Sequence, residues 1–296
     1  MQQATVAELF TRWDVPPIVS AALALALLIY MAGWTRLRRT RPLAVPGWRL
    51  ACFVAGIAAL FVAVSSPLDT FSESLLFMHM GQHFVLMSVA PPLIVLGAPV
   101  VPMLRGVPRW FVRGFLGFFF RSRALHRLAN MLVDLRFAWL AMNLAYVCWH
   151  IPAAYEFALS SENWHNLEHF CFFSTSILFW WPIMQPWPSR PRTKHWALIP
   201  YLLLADLVNT GVSAFLCFSG RLLYPSYGEI VPRPFGLSAL SDQIAAGAFM
   251  WVAGSIVFLI PALWLTMQWL QGPQTVSVRA SAGPQRALGQ SGRWKR

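Results

Sequence analysis

An all-α, polytopic membrane helical bundle is the fold class this sequence predicts. Three features carry that expectation: apolar stretches of spanning length recur, charge is scarce, and the basic residues fall in alternate loops. Of 296 residues, 57% are hydrophobic and only 11% charged, with a mean hydropathy of +0.54. A soluble domain is about 25% charged. The apolar spans run Ile18–Trp34, Trp48–Ser65, Leu75–Val101, Phe137–Tyr155, Trp164–Met184, Trp196–Phe218 and Asp242–Leu270. Each is close to the roughly 20 residues that cross a bilayer.

The net charge of +12 is compatible with nucleic-acid binding until the positions of the charges are read. Five Arg lie within Arg36–Arg49, seven within Arg105–Arg136, three basic residues within Arg190–Lys194 and five in the tail from Arg279, 20 of the 23 in all. Arg12, Arg221 and Arg233 fall on the other side, beside Glu8, Asp14, Asp69, Glu73, Glu156, Glu162 and Glu229. The positive-inside rule then predicts seven transmembrane helices with the N-terminus outside and the C-terminus cytoplasmic, and nucleic acid drops out as a partner. Three segments are expected: an outer N-terminal segment 1–17, a membrane domain 18–270, and a disordered basic cytoplasmic tail 271–296. The basic residues follow the first apolar stretch and no small-residue cleavage site comes next, so span one reads as an anchor.

Spans one and two are nearly free of polar groups and read as scaffold, with Gly33, Gly47 and Gly56 available for close packing or turns. Span three opens with Met78-His79-Met80-Gly81-Gln82-His83. Residues four apart share a helical face, so both imidazoles can reach one ion. Pro91-Pro92 is expected to bend or break this helix near mid-membrane. Between spans three and four, Arg105, Arg109, Arg113, Arg121, Arg123 and Arg127 alternate with Trp and Phe, which predicts an amphipathic segment at the cytoplasmic interface. Span four runs outward to Tyr146-x-x-x-His150, and span five returns with His165-x-x-Glu168-His169, a second i, i+4 pair. That string also matches a zinc-protease pattern, but nothing else in the chain supplies a protease's cleft or third ligand in an established order. Glu168 reads better as an outer support or an anionic wall. Span six carries Asp206, Asn209 and Ser213 on one stripe, which reads as an interhelical hydrogen-bond network in preference to a proton relay. Span seven opens with Asp242-Gln243, a carboxylate at the depth of the histidines, and Met250 follows two turns deeper.

Five of the seven histidines therefore fall on the outer side; His126 and His195 lie among cytoplasmic basic residues. His79, His83, His165, His169, His150 and Asp242 form a candidate metal set. Imidazole and thioether donors suit copper first, as Cu(I), and zinc second. Two other classes remain open: a membrane cytochrome with haem between a histidine of each pair, and a seven-span transporter or receptor using Asp206 and Asp242. Cys52, Cys148, Cys171 and Cys217 all lie in spans and read as buried small hydrophobes.

From about Trp48 to Leu270 the chain resembles the seven-span CtaG family of cytochrome c oxidase assembly factors, associated with the caa-type oxidases. The resemblance rests on the His79–His83 motif, Ala90-Pro91-Pro92-Leu93, Gly97-Ala98-Pro99 and His150-Ile151-Pro152. It continues through His165-x-x-Glu168-His169, Phe179-Trp180-Trp181-Pro182, Leu223-Tyr224-Pro225-x-Tyr227 and Asp242-Gln243. It implies a non-enzymatic protein of the bacterial inner membrane that helps place copper in the catalytic subunit of a haem-copper oxidase. By that resemblance His79, His83, His165 and His169 would handle the copper, with His150 and Asp242 in support.

Overall fold

A computed structural model describes residues 11, 13–188, 194–230 and 234–271; the side chains at 115, 116, 119 and 120 are outside that description. The expected basic tail lies almost entirely beyond the described residues. Those residues form helices and no strand. We label the helices α1 (Pro17–Arg38), α2 (Gly47–Ser65), α3 (Pro67–Ser72), α4 (Leu76–Leu96), α5 (Val100–Gly106), α6 (Arg123–Leu132), α7 (Leu135–His150), α8 (Pro152–Leu159), α9 (Glu162–Met184), α10 (His195–Phe218) and α11 (Ala239–Gln271). Short helical turns fill 109–121.

Among the described residues, five helices are long and apolar enough to cross a membrane: α1, α2, α4, α10 and α11. A sixth is reached if α6 and α7, bent by 63° at their junction, form one span. The helix of the expected fourth span, α7, is thus only 16 residues long and ends at His150. The expected fifth, α9, has the length at 23 residues, but Glu162, Asn163, His165, Asn166, Glu168 and His169 make its first turns polar.

The proline pair does not break α4. A π turn at Val85–Val89 inserts one extra residue before Ala90-Pro91-Pro92, and the helix continues to Leu96. Proline at 91 has no N–H to give the carbonyl four residues back. The Trp180 indole N–H fills that place, donating to the Met87 carbonyl at 3.1 Å. A buried acceptor that would otherwise be orphaned is satisfied from α9, which fixes the depth of α9 against α4.

Side-chain hydrogen bonds give the register elsewhere. Gln243 bonds the Leu216 carbonyl while Ser255 bonds Asp206, so α10 and α11 run antiparallel. Trp139 reaches the Tyr201 carbonyl and Tyr146 reaches Asn209, so α7 and α10 run parallel. Asn209 also donates to the Met250 carbonyl, and Gly254 makes room for it: a Cβ there would sit 2.5 Å from Nδ2 of Asn209. Asp206 and Asn209 of the expected polar stripe thus join an interhelical network, while the Ser213 hydroxyl is buried without a partner. On the far side of the bundle Gly33 of α1 and Gly106 of α5 admit each other's helix, since a Cβ on Gly33 would fall on the Pro102 carbonyl oxygen. Gly47 needs no such room, its Cβ meeting only the Arg38 side chain at 3.5 Å. All four cysteines are free thiols.

Candidate metal centre

The start of α4, the end of α7 and the start of α9 meet at one end of the bundle, opposite the loops that carry Arg36, Arg105 and their neighbours. The start of α11 packs beside them. His79 and His83 are buried, and His165 and His169 half-buried. One ligand atom from each of the four lies within 4.8 Å of every other. Nε2 of His79 and Nε2 of His83 are 2.9 Å apart; the ring centroids of His79 and His165 stand at 5.1 Å and those of His83 and His169 at 5.3 Å. Four nitrogens around one zinc- or copper-sized ion are about 3.4 Å apart, from metal–nitrogen distances of about 2.0–2.1 Å. Small ring rotations close the difference, so the quartet could hold a metal ion.

The surroundings prepare the quartet for that. Nε2 of His165, Nε2 of His169 and Nδ1 of His83 are buried and have no hydrogen-bond partner. Glu168 is 0% exposed, with both carboxylate oxygens unpartnered, and one of them stands 3.9 Å from Nε2 of His83. A carboxylate buried without a donor is costly unless a cation answers it.

The histidines of α4 are oriented by neighbours. The Tyr227 hydroxyl donates to the Ser72 carbonyl at 2.8 Å and meets Nδ1 of His79 at 2.9 Å. Its one proton is used on Ser72, so His79 carries hydrogen on Nδ1 and leaves the Nε2 lone pair facing the quartet. Tyr155 bonds the same hydroxyl at 3.3 Å, and Tyr224 donates to the His150 carbonyl at 2.9 Å. The loop holding Tyr224 and Tyr227 is tied to α8, the helix of Tyr155, where Ser226 bonds Glu156 through both backbone and side chain. Gln82 donates to the Ala63 carbonyl and to Asp69, fastening α4 to α2 and α3. A cavity of about 450 Å³ lined by Glu73, His79, Glu162, His165 and Tyr227 leads to the quartet. Its two acidic residues favour arrival of cations.

Of the six candidate ligands that the sequence suggests, four converge. His150 stands beside His83, at 6.3 Å between centroids, and belongs to a deeper compartment. Asp242 is not among the four clustered ligand groups: its carboxylate accepts from the backbone N–H of Leu76 at 2.8 Å and of Phe77 at 3.0 Å, the first turn of α4. Those N–H groups have no partner within the helix, and a carboxylate there is also favoured by the helix dipole. Tyr227 escapes a search for metal ligands because it touches the site through a ligand's back nitrogen. Of the two places the sequence suggests for Glu168, its carboxylate lies 3.9 Å from His83, where a support for that ring would stand, and it does not line the acidic cavity.

Fold and site together define a helical membrane protein with a partly buried imidazole quartet at one end. Residues 28–272 match the family described as cytochrome c oxidase caa3 assembly factor, and the chain belongs to that family. It is similar to an uncharacterised protein of Mycobacterium leprae, at 25% identity over 94% of this chain and 42% of the relative. Uncharacterised proteins of Mycobacterium bovis and Mycobacterium tuberculosis match at 24% over the same shares. The chain thus spans less than half the length of these curated relatives. No solved structure matches it.

Proposed function

We propose that this protein assists assembly of a haem-copper oxidase by binding Cu(I) at His79, His83, His165 and His169 and handing it to the oxidase catalytic subunit. The observation that carries the reading is the convergence of four imidazoles from two helices beside an unpartnered, fully buried Glu168. The transfer is ligand exchange and needs no covalent chemistry. Counting α7 and α9 with the five other apolar helices gives seven spans, with the N-terminus and the quartet on the periplasmic side of the bacterial inner membrane. The Arg-rich loops at the opposite end support that orientation. Haem is the weaker occupant: the rings of His79 and His165 stand 5.1 Å apart between centroids and those of His83 and His169 5.3 Å, so the two pairs leave no flat slot for a macrocycle between them.

The test is elemental analysis of protein purified without added metal, with a visible spectrum. Wild type should carry copper and lack a Soret band, and the His79→Ala/His83→Ala variant should lose most of the copper. Equal copper in both would refute the assignment.

A further inference from the structure

Directly beneath the quartet lies a narrow internal cavity of about 40 Å³, lined among others by Met80, Met87, Met142, Met250, His83 and His150. That is room for one ion or one water. The four methionines come from three helices and none is more than 6% exposed. Methionine commonly fills irregular gaps in a core, and these four divide between two apolar clusters that meet at the cavity. Packing alone does not account for the histidines.

Nδ1 of His150 lies 2.7 Å from the Tyr146 carbonyl, which can only accept, so the ring hydrogen is on Nδ1 and Nε2 is a bare lone pair. That Nε2 is buried and unpartnered. His79 presents its own Nε2 lone pair to His83, as its bond with Tyr227 requires, so His83 donates from Nε2 and its Nδ1 is a second bare lone pair. It too is buried and unpartnered. Two histidines with bare, buried lone pairs and four methionines thus line one small space, with soft donors in excess.

We propose that this cavity is a second cuprous site, formed by His83 Nδ1, His150 Nε2 and thioether sulfur, with His83 shared between it and the quartet. The proposal rests on reading the quartet as a Cu(I) site. The ion moves inward by exchanging ligands around one imidazole. As it passes from Nε2 to Nδ1 of His83, the ring hydrogen moves to the nitrogen left behind, so oxidation state and proton count are unchanged. Zinc, which has less affinity for thioether, is confined to the outer quartet.

The experiment is X-ray absorption at the copper edge on full-length, selenomethionine-labelled protein in detergent, loaded with cuprous ion. The expected result is a copper–selenium shell beside the nitrogen shell, lost when Met80, Met87, Met142 and Met250 are all replaced by leucine. Leucine is close in volume, and the labelled wild type needs no substitution, so a misfolded variant does not decide the outcome. Nitrogen scattering alone in wild type overturns the second site, with a water as the cavity's occupant, and leaves the quartet standing. A selenium shell that persists in the four-leucine variant also overturns it. Absence of bound copper overturns the quartet reading and this proposal together.

Discussion

Replacing Asp242 with asparagine separates two roles that a carboxylate at this depth could have. Helix α4 begins after Leu75, an extended residue at φ −132° and ψ 120° with no capping side chain of its own. Its first N–H groups are met instead by Asp242, 166 residues away in sequence, whose two oxygens accept from Leu76 and Phe77. Hydrogen bonds to a charged group contribute about 1.5–3 kcal/mol each. At 0% exposure no water replaces them. Asparagine keeps one acceptor and turns an NH2 toward the other N–H, so Asp242→Asn should cost about 1.5–3 kcal/mol, with roughly 0.3–1 kcal/mol more from the lost charge at the helix N-terminus. Asp242→Ala removes both bonds and should cost about twice as much. The assay is thermal unfolding of metal-free protein in detergent, paired with a Cu(I) competition titration. A lowered midpoint in metal-free protein, with weaker copper binding following because His79 lies one turn away, is the expected pattern. An unchanged metal-free midpoint with lost copper would refute the capping argument and return Asp242 to the ligand set.

Three further outcomes follow from the same geometry. Gly33→Ala drives a Cβ into the Pro102 carbonyl oxygen, a backbone atom that cannot turn aside, and should lower the unfolding midpoint by the equivalent of about 1–3 kcal/mol. Tyr227→Phe removes the hydroxyl that fixes the His79 ring and should weaken copper binding by about 10–100-fold in a competition titration; because the buried Ser72 carbonyl loses its donor, the unfolding midpoint should also fall, by the equivalent of about 1–3 kcal/mol. Asp69, in the loop helix α3, has its carboxyl pushed up to about 6, chiefly by burial, against the lowering effect of its bond with Gln82 and with added upward pressure from Glu73 and Asp14. The native state therefore holds this proton between the ordinary carboxylate range and about pH 6 while the unfolded chain has released it. Stability should fall as pH rises through that window and level off above it; Asp69→Asn should flatten the fall in a series of thermal melts.

What the sequence shows most directly is whatever lies on one helix. The pairs His79–His83 and His165–His169 are legible because i, i+4 spacing alone puts both rings on one face, and the structure joins the pairs. The Asp206–Asn209 stripe is legible as a network for the same reason. Partners distant in sequence are not. Nothing local says that Trp180 supplies the donor missing at Pro91, or that Tyr227 holds the back of His79. Asp242 shares the depth of the histidines, and depth alone does not distinguish a ligand from a cap. Composition has a comparable blind spot: α9 reads as a span by length, yet the polar residues that build the site are those that dilute its apolar character.

The two halves of the quartet are held differently, and that difference bears on transfer. On α4, His79 is fixed by Tyr227, His83 by His79, and the helix itself by Asp242 and Gln82. On α9, Nε2 of His165 and Nε2 of His169 have no partner, both residues are half-buried, and His165 lines the acidic cavity. A closed structural metal site orients all its ligands through outer hydrogen bonds. Here the α4 pair is held by outer hydrogen bonds while Nε2 of His165 and Nε2 of His169 have none, so two of four bonds to an ion held there would be released without unmaking the helices. On the proposed reading, an ion held there would rest on one fixed pair and one less restrained pair, an arrangement suited to handing it on more than to storing it.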